Sequence, residues 1–197
     1  MRKRKKISKI AIIIALILVL VLIGDIIGAL LYLSLPQTLR ESLITYVTTG
    51  EALTFFQIFY QQFLSQLAIW SFGLLIIGNI INLFFIFVRG VSAGFNLAFL
   101  LDGGISSLMF ILWIIHYTAI LSVTILSVYF SLRFSYLVVK SCLKKKYKLV
   151  KKHLNQYVMQ LILILVLTIL TSFLSFSITP VVTEQLDNNY EKIVFKI

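Results

Sequence analysis

Asp25, Arg89, Asp102 and His116 are ionisable residues set within long apolar stretches, so they are the first candidates for chemistry. An ionisable group at membrane depth is costly, and it marks a proton relay, an ion path or a polar contact between helices. Asp25 lies in Gly24-Asp-Ile-Ile-Gly28. It either contacts a neighbouring helix or partner, or sits hydrated near the outer interface. Asp102 begins Asp102-Gly103-Gly104, a break in an apolar run. Broken helices at depth line cavities or are buried in protein. A transport path and a bent, packed helix therefore both remain open. Arg89 and Asp102 are thirteen residues apart, about 20 Å along a continuous helix, too far to pair. Unless the helix breaks at Gly90 or Gly103, Asp102 is expected to be hydrogen-bonded within the bundle, or neutral, and not salt-bridged to Arg89.

His116 is the one histidine within the apolar runs, because His153 belongs to a basic block. A lone histidine makes no metal site. The chain carries no HExxH, GxSxG, CxxC or Walker pattern. No serine has a histidine or lysine base at a suitable spacing. The expectation is a protein that is not an enzyme and binds no cofactor or metal. The single cysteine, Cys142, cannot form an intramolecular disulfide. A reduced thiol is expected, with palmitoylation as an alternative.

Glycine spacing supplies a second set of candidates. Gly24 with Gly28, and Gly90 with Gly94, are GxxxG pairs that let helix backbones approach closely. Gly73 and Gly78, with Asn79 and Asn82, make another stretch small and polar along one side. These residues point to tight helix packing and not to a pore.

The elements that must position these residues follow from hydropathy and charge. The 197 residues are 60% hydrophobic with mean hydropathy +1.02, above the 45–50% usual for soluble domains. The apolar residues fall in runs long enough to cross a bilayer. The fold class is all-α: a polytopic transmembrane helical bundle in a single domain. Net charge is +11, and thirteen of the eighteen basic residues lie in two blocks, residues 1–9 and 140–153. Basic segments beside spans stay cytoplasmic and attract anionic lipid, so no nucleic acid partner is implied. The N-terminal apolar run is too long for a signal peptide and is read as a retained first span.

About five spans are expected, near residues 10–35, 67–88, 91–115, 118–139 and 157–178. The breaks fall at Arg89-Gly90, with Arg89 at the inner face, and at His116-Tyr117. The third span is interrupted at Asp102-Gly103-Gly104, and Pro180 ends the fifth. A re-entrant hairpin over 91–115 is the rival arrangement. The N-terminus is placed inside and the C-terminus outside. Residues 36–66 form an external loop whose Phe55, Phe56, Phe59, Tyr60 and Phe63 recur at helical spacing among glutamines. That segment reads as an amphipathic helix at the outer interface, either a docking surface or a plain anchor.

Ile69-Trp-Ser-Phe-Gly-Leu-Leu-Ile-Ile-Gly78 and Leu83-Phe-Phe-Ile-Phe-Val-Arg-Gly-Val-Ser-Ala-Gly-Phe-Asn-Leu-Ala-Phe-Leu-Leu101 resemble the central signature of the stage II sporulation protein M family. Gly73 and Gly78 match an early glycine pair, and Arg89, Gly90, Gly94 and Phe95 match a basic residue, glycine and Gly-Phe. The resemblance implies a non-enzymatic scaffold of the bacterial cell membrane. In endospore formers the family anchors two peptidoglycan-degrading partners, stage II sporulation proteins D and P, during engulfment. Divergent relatives accompany circular bacteriocins, in maturation, export or immunity. A small-solute transporter is the third possibility.

Overall fold

The computed structural model describes the backbone of residues 2–49, 53–75, 78–143, 145 and 147–194. The described chain forms α1 (Arg2–Leu33), α2 (Gln37–Thr49), α3 (Phe55–Gly73), α4 (Gly78–Asp102), α5 (Ser107–Leu143) and α6 (Tyr147–Val194). Four of them contain stretches long and apolar enough to cross a membrane: Ala11–Leu33, Gly78–Asp102, Ser107–Leu143 and Leu149–Leu186. The expected all-α polytopic bundle is the fold.

Contacts fix the direction of each helix. Gly24 of α1 lies against Phe87 and Gly90 of α4, Gly28 against Val91 and Phe95, and Tyr32 bonds Asp102. Residue numbers rise together, so α1 and α4 are parallel. Asn82 of α4 bonds Ser131 of α5, whereas Tyr117 of α5 reaches Arg89 of α4. Those two helices are antiparallel. Gln66 pairs with Ser127, and Ser135 donates to the Gly73 carbonyl, so α3 and α5 are parallel. Gln62 meets Ser172 and Ser175, whereas Trp70 meets Tyr157, so α6 opposes α3. The chain thus reverses direction at each connection among α3, α4, α5 and α6.

Local chemistry sets the helix ends. Thr54 caps α3 by a reciprocal capping box: Gln57 N–H donates to Thr54 Oγ1, and Thr54 N–H donates to Gln57 Oε1 at 2.8 Å. Gly104 has φ +64° in the turn between α4 and α5, a conformation glycine adopts without a Cβ clash. Two apolar clusters hold the bundle. One joins Ile17, Val21, Ile69, Ile86 and Val128. The other joins Tyr32, Ala98, Phe99, Leu100, Val182 and Leu186.

Several span boundaries are corrected by this structure. No break occurs at Arg89-Gly90, because α4 runs unbroken from Gly78 to Asp102. Gly90 is helical there because its missing Cβ admits α1, not because the helix stops. Arg89 consequently lies mid-helix and not at an inner face. The expected span 67–88 is divided by the turn between Gly73 and Gly78. Leu74 and Leu75 in that turn are exposed and apolar, so hydropathy alone conceals it. Asp102-Gly103-Gly104 closes α4 and leads into α5; it does not interrupt a span or form a re-entrant tip. His116-Tyr117 lies within continuous α5. The amphipathic segment 55–66 is the first half of α3 and stands in the bundle against α6, not flat at an interface. Pro180 does not end α6, which continues to Val194. Proline removes one helical hydrogen bond, but Val182 and Leu186 beyond it are buried in the core and hold the helix in line.

Candidate functional site

The small residues of α1 and α4 let the two backbones approach closely. A side chain on Gly24 would strike the Phe87 carbonyl, and one on Gly28 the Val91 carbonyl. From the other side, Gly90 faces Val21 and Gly94 faces the Asp25 carbonyl. The two GxxxG pairs therefore interlock with each other, and each Cβ position is already filled by the partner's backbone. Asp25 sits at the edge of this seam, half-buried, and its Oδ1 has no partner among the described residues. Arg89 lies over the Phe85 ring at 5.8 Å, and the Tyr117 hydroxyl donates to the Arg89 carbonyl at 3.4 Å. Neither Asp25 nor Arg89 forms an ion pair with a described residue.

Between α3, α5 and α6 runs a ladder of buried polar side chains. At one end, His116 Nε2 and Ser175 Oγ are 2.6 Å apart. Gln62 Nε2 donates to Ser175, and Gln62 Oε1 accepts from Thr171 and Ser172. One turn along, Gln66 Nε2 donates to Thr124 and Gln66 Oε1 accepts from Ser127 at 2.6 Å. Asn82 Nδ2 then donates to the Ile69 carbonyl and to Ser131. At the far end, Ser135 donates to the Gly73 carbonyl, and Tyr157 to the Trp70 carbonyl at 2.8 Å. From His116 to Ser135 is about 28 Å of helix, close to the thickness of a bilayer core. The void beside Gln66, Trp70, Ser127 and Gln160 is about 10 Å³, enough for one water at most. The ladder is packed and is not an open path.

Gly73 belongs to this ladder, since a Cβ there would meet Ser131 and the Tyr157 hydroxyl. Gly78 serves the adjoining turn, against the Phe72 backbone. The early glycine pair thus does two separate jobs.

The acids lie at one end. Tyr32 OH donates to Asp102 Oδ2 at 2.7 Å, and Arg40 Nη1 lies 3.6 Å from the same oxygen. Arg40 also holds the Leu35 carbonyl through Nε and stands 5.8 Å over the Tyr32 ring. This latch joins the ends of α1, α2 and α4. The Asp102 side chain is 40% exposed, so it is not a carboxylate buried at membrane depth. A cleft of about 230 Å³ lies nearby, lined by Asn96, Phe99, Trp113, His116, Thr179 and Thr183 among others.

A model of the family described as stage II sporulation protein M matches residues 13–180. The chain belongs to that family. The match takes in the glycine seam, the polar ladder and the latch. No curated protein and no solved structure matches the chain. The stage II sporulation protein M resemblance noted at Gly73, Gly78, Arg89, Gly90, Gly94 and Phe95 therefore extends over most of the sequence.

Within this family member, the five aromatic docking candidates divide by face. Phe55, Phe59 and Phe63 stack in succession, with centroids 6.3 and 5.7 Å apart, and Phe55 meets Phe176 of α6 edge-on. Phe56 and Tyr60 point away from the bundle, 77% and 61% exposed. Tyr32, Arg40, Gln62, Gln66 and Ser175 were missing from the sequence-based candidates. Gln62 and Gln66 on α3, Thr124, Ser127, Ser131 and Ser135 on α5, and Thr168, Ser172 and Ser175 on α6 recur at helical spacing and carry the sequence signal for the ladder. Nothing local to Tyr32 or Arg40 marks the latch, because their partner is remote in sequence.

Proposed function

We propose that this protein is a non-enzymatic scaffold of the cell membrane that anchors peptidoglycan-remodelling partners, as its family suggests. The observation that supports this best is how the interior polar groups are used. His116, Gln62, Gln66, Asn82 and the serines and threonines around them bond one another across α3, α4, α5 and α6. Asn82 Oδ1 and Trp70 Nε1 are left without partners among the described residues, but hydrogen-bonded polar networks of this extent still rigidify a bundle and favour one arrangement. A rigid platform is what an anchor for other proteins needs. The exposed Phe56 and Tyr60 on α3 offer the aromatic surface on which a partner would seat.

The N-terminus and the Lys140–Lys152 block lie on the cytoplasmic side in this reading, and Asp102 and Arg40 on the outer side. α3 is then a fifth crossing, carried by its hydrogen bonds despite its glutamines. Affinity purification in mild detergent tests the proposal. Recovery of a cell-wall hydrolase in stoichiometric amount is the expected result. Recovery of a bacteriocin exporter component in its place would move the role to that branch. Solute uptake by the purified protein alone in liposomes would overturn both.

A further inference from the structure

Arg133 is exposed on α5 and makes no ion pair or side-chain hydrogen bond with a described residue. It lines a shallow cleft of about 350 Å³ with Asn155, Gln156, Met159 and Gln160 of α6. The three amide side chains are equally without hydrogen-bond partners among the described residues. Four unpaired polar side chains, one of them cationic, are therefore gathered between two helices that carry apolar side chains on either side.

The level of this cleft along the bundle is fixed by its neighbours. Tyr157, next to Gln156, stacks on Trp70 at 5.0 Å and on Phe134, next to Arg133, at 4.2 Å. Tyr136 lies under the Lys140 ammonium at 5.9 Å. Tyr157 and Phe134 are buried, but the outward-facing Tyr136 beside Lys140 is of the kind that sits at the boundary between hydrocarbon and headgroups. The turn after Gly73 lies at the same level, through the bonds from Ser135 and Tyr157. At this end α5 and α6 continue into the lysine block, and α1, parallel to α4, has its N-terminal turns.

Charge selects the ligand. No Asp or Glu occurs between Gly103 and Thr183. Arg133 has no carboxylate to answer it, and the lysines on its far side add positive potential. A guanidinium fork and amide donors at headgroup depth match phosphate oxygens in geometry and sign. Met159, 67% exposed, supplies a flexible apolar contact for the adjoining glycerol and acyl chain.

We infer that the Arg133–Asn155–Gln156–Gln160 cleft binds the phosphate headgroup of an anionic phospholipid of the leaflet at the lysine-rich end. Arg133 binds the phosphate, and the amides read its remaining oxygens and the headgroup hydroxyls. The inference depends on the membrane embedding of the bundle and not on partner anchoring.

The test uses the full chain, purified in detergent and stripped of lipid. It is titrated with dioctanoyl phosphatidylglycerol, dioctanoyl phosphatidylcholine and inorganic phosphate. The phosphatidylglycerol analogue should bind saturably and the other two should bind far more weakly. Arg133→Gln should weaken binding roughly tenfold or more, the effect of losing a charge-assisted hydrogen bond. Arg133→Lys should lose part of it, since the charge remains and the fork does not. The Lys151→Gln/Lys152→Gln double variant should change it little. Equal binding of the two lipids, phosphate binding as tightly as lipid, or a loss confined to the lysine variant would overturn the inference.

Discussion

The phenol of Tyr32 donates a 2.7 Å hydrogen bond to Asp102, seventy residues further along the chain. That bond ties the end of the first long helix to the end of its parallel partner. It also explains why an acid can stand at the close of an apolar helix. Asp102 Oδ2 accepts from Tyr32 and faces Arg40 at 3.6 Å, while the rest of its side chain is partly exposed.

Removing the Tyr32 hydroxyl should therefore cost more than neutralising Asp102. Tyr32→Phe should lower stability by about 1 kcal/mol, the net worth of one hydrogen bond. Asp102→Asn keeps an acceptor for Tyr32 and loses only a half-exposed ion pair, which is worth little. Thermal melts of the detergent-solubilised variants check this. A larger loss for Asp102→Asn than for Tyr32→Phe would show that the charge matters beyond the latch.

The glycine seam allows no added atoms. Gly94→Leu would drive a side chain into the Asp25 backbone, and Gly28→Leu into that of Val91. Overpacking usually costs about 1–3 kcal/mol, and a backbone neighbour cannot rotate away. Both variants should lower the folded fraction sharply in size-exclusion chromatography. Leu97→Ile should leave it intact.

The polar ladder makes a different demand. Ser127→Ala leaves the Gln66 carbonyl group without its 2.6 Å donor. Interhelix hydrogen bonds of this kind average about 0.6 kcal/mol in a membrane bundle, with an upper range near 1.7. The melting temperature should fall modestly, while Ser122→Ala, at an exposed site on the same helix, should not change it. An equal response at both positions would remove the ladder as a source of rigidity.

How much of this was legible in sequence depended on the range of each signal. The long apolar runs and both GxxxG pairs are local patterns, and they led to the helical spans and to the close α1–α4 approach. Arg89 misled, since a charge beside a glycine reads as a helix end but here lies mid-helix beside the α1 contact. The turn after Gly73 was hidden because Leu74 and Leu75 are as apolar as the helices they join. Gln62 and Gln66 made α3 look like a surface helix. Their partners, Ser175 and Ser127, are more than sixty residues away, and no spacing rule could supply them.

Orientation in the membrane has its own test. With Cys142 replaced by serine, a cysteine at Gln37 should react with an impermeant thiol reagent in intact cells. Native Cys142, exposed at the end of α5, should react only after the cells are opened. Labelling of Cys142 from outside would invert the arrangement of the lysine block.

The central claim is that the bundle holds other proteins in the membrane, and the exposed ring of Tyr60 is the place to ask. A photo-reactive phenylalanine analogue at residue 60, expressed in cells under wall-remodelling conditions, reports directly on what covers that face. The account expects discrete covalent adducts with a peptidoglycan-remodelling protein, and none from the same analogue at Phe59 against the stacked aromatic stripe. Adducts with lipid alone at residue 60, from a correctly folded and abundant protein, would contradict it.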